Sequence, residues 1–194
     1  LDNKIKFIEH HNSHLASAFF ASPFDQSAIL SIDAFGDFTS TVLAYGEGNE
    51  IKKIKEVNFP HSVGQFYTAF TQFLGFHHYG DEYKVMGLSP YGKPRYLDEM
   101  EKILIAKDNG LFKLNLDFFD HHTKGVTTSM LEDNDPTPSL FYSKVNMEKV
   151  FGKIRLKHEK ITQHHIDIAS SVQVHCENVI FHLLKKLYDE TGSI

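Results

Sequence analysis

Ala28-Ile29-Leu30-Ser31-Ile32-Asp33, Thr39-Ser40-Thr41-Val42-Leu43-Ala44-Tyr45 and Glu50-Ile51-Lys52-Lys53-Ile54-Lys55-Glu56-Val57-Asn58 follow one another with only five residues around the turn Phe35-Gly36-Asp37 and the four residues Gly46-Glu47-Gly48-Asn49 between them. The first is an apolar run, the second is rich in β-branched residues and the third alternates, while the spacers hold the residues that turn a chain tightly. Three consecutive strands joined by short turns predict an antiparallel meander. The unbroken pair Ile29-Leu30 predicts that the first strand is covered on both faces. That strand ends abruptly in Asp33, a carboxylate at the mouth of a buried element.

Upstream of the first strand lies Glu9-His10-His11-Asn12-Ser13-His14-Leu15-Ala16-Ser17-Ala18-Phe19-Phe20. Asn12 and Ser13 are helix-starting residues, and Ser22-Pro23-Phe24 stops the helix. His10 and His14 are four apart, which puts two imidazoles on one helical face within reach of one ion. Asp33 supplies a third ligand. Two neutral imidazoles and a carboxylate suit zinc or ferrous iron. The chain has 13 histidines, so one such spacing also arises by chance. His11 points elsewhere on the helix. Lys4-Ile5-Lys6-Phe7-Ile8 reads as a short strand leading into this segment.

Downstream, Pro60-His61-Ser62 opens a helix with a Ser62/Gln65 capping box and the apolar face Val63, Phe66, Phe70, Phe73, Leu74, closing at Gly75. Gly80 to Gly92 reads as a glycine-punctuated loop around one helical turn. There Glu82 and Lys84 could serve a ribose and a phosphate, or form an ion-pair surface. Arg95 to Ile105 reads as an amphipathic helix, Leu111 to Leu116 as a short strand, Thr123 to Pro138 as an exposed loop preceded by surface residues His121-His122, and Ser139 to Phe151 as a helix. A helix from Thr162 to Glu190, apolar at Ile166, Ala169, Val172, Val174, Val179, Ile180, Leu183, Leu184 and Leu187, has the length to span a core beneath a sheet.

Composition narrows the class. With 194 residues, 41% hydrophobic and 23% charged, the chain can bury a substantial core. Its net charge of −5, with no basic run, argues against a nucleic-acid-binding face. One cysteine, Cys176, permits no internal disulfide and sits in an apolar helical pattern, in keeping with a reducing cytoplasm. No apolar run reaches membrane-spanning length. The start at Leu1 without methionine and the stop at Thr191-Gly192-Ser193-Ile194 mark residues 1–194 as an excised fragment.

Taken in order, His10-His11-x-Ser13-His14-x-Ala16-Ser17-Ala18-Phe19, Ser22-Pro23-Phe24, Ile32-Asp33-x-x-Gly36-Asp37, Phe59-Pro60-His61-Ser62-x-Gly64 and Glu82-Tyr83-Lys84-Val85-Met86-Gly87-Leu88-x-Pro90-Tyr91-Gly92 resemble the amino-terminal domain of the O-carbamoyltransferases. These enzymes of antibiotic and nodulation-factor biosynthesis are similar to the tRNA threonylcarbamoyl-transferase proteins. The resemblance implies an α/β fold of the ribonuclease-H-like superfamily, shared with actin, sugar kinases and heat-shock chaperones, and residues 1–194 as a piece of that domain, incomplete at both ends. It implies a divalent metal, ferrous iron, on His10, His14 and Asp33, with a further aspartate from downstream of this chain. It also implies ATP and carbamoyl adenylate as nucleotides, carbamoyl phosphate as donor and a hydroxyl-bearing small molecule or oligosaccharide as acceptor. Phosphate would meet backbone amides near Gly36 and Asp37 with the hydroxyls of Thr39 and Ser40. Glu82 would suit the ribose, and Lys84 a phosphate or a structural carboxylate. Where the family carries Gly-Val-Gly-Glu after the aspartate, this chain has Ala34-Phe35-Gly36-Asp37, and the bulk of Phe35 is expected to narrow the phosphate loop. Two other readings of the same residues are an unrelated His/His/Asp metal-dependent hydrolase, which needs a free carboxylate base nearby, and a non-catalytic actin-like nucleotide-binding module.

Overall fold

The computed structural model describes residues 5–130 and 136–193. The meander forms as the turns dictate: β1 (Gln26–Gly36), β2 (Thr39–Glu47) and β3 (Glu50–Asn58) make one antiparallel sheet in the order β1-β2-β3. Asp37, at φ 57°, and Gly48, at φ 58°, supply the left-handed residues of its two turns.

Alternation along the strands sends side chains to two different layers. Ile29, Val42 and Ala44 pack beneath Leu15 and Phe19 of helix α1 (His10–Phe19). Ala28, Leu30, Ile32, Leu43 and Val57 face the main core, built with α2 (Val63–Phe73) and α7 (Gln163–Thr191). The sheet is therefore covered on both sides, as Ile29-Leu30 predicts.

Between these helices come α3 (Glu82–Leu88), a 3-10 turn (Ser89–Tyr91), α4 (Leu97–Ile103), the hairpin β4 (Leu104–Ala106) and β5 (Phe112–Leu114), a second 3-10 turn (Leu116–Phe118), α5 (His121–Lys124), the hairpin β6 (Thr128–Met130) and β7 (Pro136–Pro138), and α6 (Lys144–Phe151).

Several local expectations are corrected. Ile5 to Ile8 form no strand, and Lys4 lies outside the described residues. The helix expected to run to Ile105 stops at Ile103, and Ile105 pairs with Lys113 in β4–β5. The strand expected over Leu111–Leu116 shrinks to Phe112–Leu114. Residues 128–130 and 136–138 pair within the stretch read as a loop, of which residues 131–135 lie outside the described residues. The helix read from Ser139 begins only at Lys144. Of the Ser62/Gln65 box only half forms: Ser62 Oγ accepts from the Gln65 amide at 3.1 Å, while Gln65 Oε1 is buried without a partner among the described residues. His121 is buried rather than on the surface. Its Nε2–H donates to the Pro60 carbonyl at 2.9 Å, and its ring sits among Phe35, Phe59 and Phe119.

On α7 the buried stripe is Ile168, Val172, His175, Cys176, Val179, Leu183 and Leu187, so Ile166, Val174 and Leu184 fall beside it. Thr162 and His165 form the reciprocal capping box that starts this helix. Burial pushes the Cys176 thiol up to about 11. At pH 8 a thiol-specific disulfide reagent should label the native protein far more slowly than the urea-unfolded chain, because the reactive thiolate is scarce and covered. Equal rates in both states would contradict this packing.

Candidate metal centre

Helix α1 begins at Glu9 rather than at Asn12 or Ser13. The Glu9 carboxylate accepts from the amides of His11 and Asn12, both at 3.2 Å, and Asp37 Oδ2 accepts from the His10 amide at 3.2 Å. Three consecutive orphan donors at the positive end of the helix thus meet two carboxylates. Glu9 is also ion-paired with Lys53 at 2.6 Å. The carboxylate nearest in sequence to the histidines is therefore committed to the helix end, and a hydrolase lacks its free base there.

In the first turn of α1, His11 anchors the helix to the sheet. It is fully buried, with Nε2 2.9 Å from the Thr39 carbonyl and Nδ1 2.8 Å from Ser31 Oγ. A carbonyl only accepts, so Nε2 carries the proton and Nδ1 accepts from the Ser31 hydroxyl. With both ring nitrogens engaged, His11 is no ligand. It sets the rotation of α1, and that rotation brings His10 and His14 together over the end of β1.

There the ladder is irregular. Ile32 pairs with Thr41 and Gly36 with Thr39, so Asp33, Ala34 and Phe35 stand opposite the single residue Ser40. In a regular strand residues three apart face opposite sides. The bulge turns both Asp33 and Gly36 toward α1, and it sends Phe35 to the other side against Phe59 and His121. Phe35 therefore leans away from the histidines. The far side of the bulge is held by α2, whose Ser62 hydroxyl donates to the Asp33 carbonyl at 3.2 Å. Gly64 passes so close to β1 that a Cβ would lie 2.7 Å from Ala34 Cα.

The result is a tight triangle. His10 Nε2 lies 2.9 Å from Asp33 Oδ2 and 2.8 Å from His14 Nε2, and His14 Nε2 lies 3.4 Å from the same Asp33 oxygen. The side chains are 36–50% exposed, so the triangle opens to solvent. Burial works against charge on Asp33, but bonds from His10, the Ala34 amide and His14 outweigh it and hold the carboxyl below its usual range. The donor set fits a cation. A ring nitrogen has either a proton or a lone pair, so His10 Nε2 can satisfy both neighbours only by sharing one proton, whereas a central cation takes a lone pair from each of the three atoms. Two imidazole nitrogens and one carboxylate oxygen are a donor set that would suit zinc or ferrous iron and would leave further coordination positions open. Among the described residues this is the one group of His, Cys, Asp and Glu side chains placed to share an ion.

Of the other predicted site residues, Gly36 and Asp37 close the bulge beside His10, Thr39 and Ser40 stand across from it with their hydroxyls engaged, and Glu82 and Lys84 lie on a different element. Thr39 Oγ1 donates to Asn58 Oδ1 at 2.9 Å, and fully buried Ser40 donates to the His61 carbonyl at 2.6 Å. Glu82 and Lys84 are on α3. Glu82 accepts from the Thr68 hydroxyl at 2.6 Å, and Lys84 pairs with buried Asp81 at 2.6 Å while its ammonium lies 5.5 Å from the centre of the Phe76 ring. The sequence reading missed Ser31 and the second role of Ser62, whose partners are remote in the chain.

Residues 2–194 match the family model described as the carbamoyltransferase N-terminus. The chain belongs to that family. It is 36% identical over 191 residues, 98% of its length, to the nodulation protein NolNO of Sinorhizobium fredii, and 34% identical over 188 residues, 95% of its length, to the nodulation protein NolO of Bradyrhizobium diazoefficiens. A Synechocystis protein, sll1178, is 41% identical over 96% of the chain. The chain spans 24%, 29% and 28% of those three relatives respectively, so they are far longer than it is.

Proposed function

We propose that this chain contributes the metal-holding part of a carbamoyl-transfer site. In this reading His10, His14 and Asp33 hold a divalent cation, ferrous iron, while a carbamoyl group passes from carbamoyl adenylate, made from carbamoyl phosphate and ATP, to a hydroxyl of a sugar or secondary metabolite. The observation that supports it is the convergence of those three donor atoms in a chain of the carbamoyltransferase amino-terminal family. A ribonuclease-H-like frame fits the same reading, since the meander is antiparallel and flanked by helices on both faces. Cytoplasmic placement accords with the single buried cysteine, and among the described residues no helix is long and apolar enough to cross a membrane.

Charge is the obstacle in such a transfer. The acceptor oxygen forms a bond to the carbamoyl carbon, the bond from that carbon to the phosphate oxygen breaks, AMP leaves with the electron pair, and the hydroxyl proton goes to the medium. A bound divalent cation supplies positive charge to phosphate and carbonyl oxygens. Asp33 brings its negative charge as any aspartate does at neutral pH, and its lowered carboxyl keeps that charge further into the acid range. His11 holds α1 in the rotation that brings the Nε2 atoms of His10 and His14 within 2.8 Å of each other. Phosphate would rest on the exposed main chain at Asp37, because Gly36 is buried against the His10 ring and the Thr39 and Ser40 hydroxyls are engaged with Asn58 and His61.

The test uses the full-length protein. Elemental analysis should find about one iron or zinc per chain, and transfer of radiolabelled carbamoyl from carbamoyl phosphate, with ATP, should stop with a chelator and return with ferrous ion. Transfer that ignores complete metal removal would defeat the proposal. Lys84→Ala probes the nucleotide side separately. If Lys84 touches phosphate, the variant should use donor roughly 10–100-fold less well, the loss of a hydrogen bond to a charged group, with metal content unchanged. If its partner is only Asp81, melting temperature should fall and donor use per folded molecule should hold.

A further inference from the structure

Gly36 is a buried residue at the closing end of the bulge, and no positive φ requires glycine there. Space does. A Cβ on Gly36 would lie 2.0 Å from His10 Cδ2, 2.4 Å from Cγ and 2.8 Å from Nε2. The His10 ring lies on the bare backbone of this residue, while the neighbouring Asp37 carboxylate holds the His10 amide at 3.2 Å. We infer that Gly36 is a positioning residue, the seat that aims His10 Nε2 at the point shared with His14 and Asp33. This rests on the metal reading of the three residues.

The physical signature of a seat differs from that of a core contact. The His10 side chain is 40% exposed, so a methyl group at position 36 can push the ring out toward solvent at little cost to the metal-free fold. What it removes is the shared aim of three donor atoms. Groups that orient a ligand without touching the metal typically contribute 10–100-fold in affinity, and loss of the seat should fall at about that size.

The experiment titrates cobalt(II), whose visible bands report ligand geometry, into the metal-stripped full-length protein, its Gly36→Ala variant, and His10→Ala with and without Gly36→Ala. Gly87→Ala is the control, because a Cβ there meets nothing within 4 Å. Expected is a roughly 10–100-fold weaker and spectrally altered cobalt site in Gly36→Ala, with the metal-free melting temperature within a few degrees of the parent and Gly87→Ala unchanged in affinity. In the His10→Ala background, Gly36→Ala should weaken cobalt no further, since the ring it displaces is gone. Wild-type affinity in Gly36→Ala overturns the seat and leaves the metal reading standing. No saturable cobalt binding by the parent protein overturns the metal reading itself. Should Gly36→Ala fold poorly, the clash predicts that removing the ring restores folding in the double variant, and failure to do so also overturns the inference.

Discussion

His14→Ala in the full-length protein should strip the metal and abolish carbamoyl transfer together. Its Nε2 is one of the three donor atoms that the described residues bring to the point, 2.8 Å from that of His10 and 3.4 Å from the Asp33 oxygen. Losing a direct ligand should exceed the roughly 10–100-fold cost of losing an outer partner. The histidine side chain is half exposed, so folding should survive. Metal content by elemental analysis and transfer activity, measured on the same preparation, decide it. If the variant retains both, the cluster is not the metal site.

The opposite pattern is expected of Phe66→Ala. Phe66 is 0% exposed on α2, with its ring 5.0 Å from that of Phe70 and 6.0 Å from that of His175. Removing a buried aromatic leaves a cavity and should cost about 3–5 kcal/mol. Urea unfolding should show that loss, while cobalt affinity per folded molecule stays near the parent value. A variant that unfolds normally but fails to bind metal would mean that α2 serves the site more directly than its place in the core suggests.

The contrast between these two residues follows what was readable in the sequence. The meander was legible because strand and turn preferences are local, and Asp37 and Gly48 fall where the spacers stood. The two-histidine spacing was legible because helical periodicity is local too. What failed depended on distant partners. Asn12 and Ser13 are good starters, yet Glu9 starts α1 because Lys53 and the helix amides gather around it. His121 looks like any polar residue beside a loop until Phe35, Phe59 and Phe119 close around it. The β6–β7 hairpin gave no signal, since Thr128–Met130 is exposed throughout and carries no alternation to read. The bulge at Asp33–Phe35 was equally silent. It exists only as a mismatch in count between two strands, and that mismatch is what lets Asp33 and Gly36 face the same helix.

The slenderness of α1 has one more consequence. Of its ten residues only His11, Leu15 and Phe19 are buried, so it is the kind of outlying element that swings open while the rest of a domain stays folded. A cation shared by His10, His14 and Asp33 would fasten this helix to β1 across the eighteen residues of chain between the nearest ligands, His14 and Asp33. Occupancy and closure of α1 then form one equilibrium: each ion bound removes the opened states, and each opening releases an ion. Scarcity of metal would accordingly be felt first as a fraying corner, with slow amide protons in the sheet and fast ones in α1, well before any loss of the core.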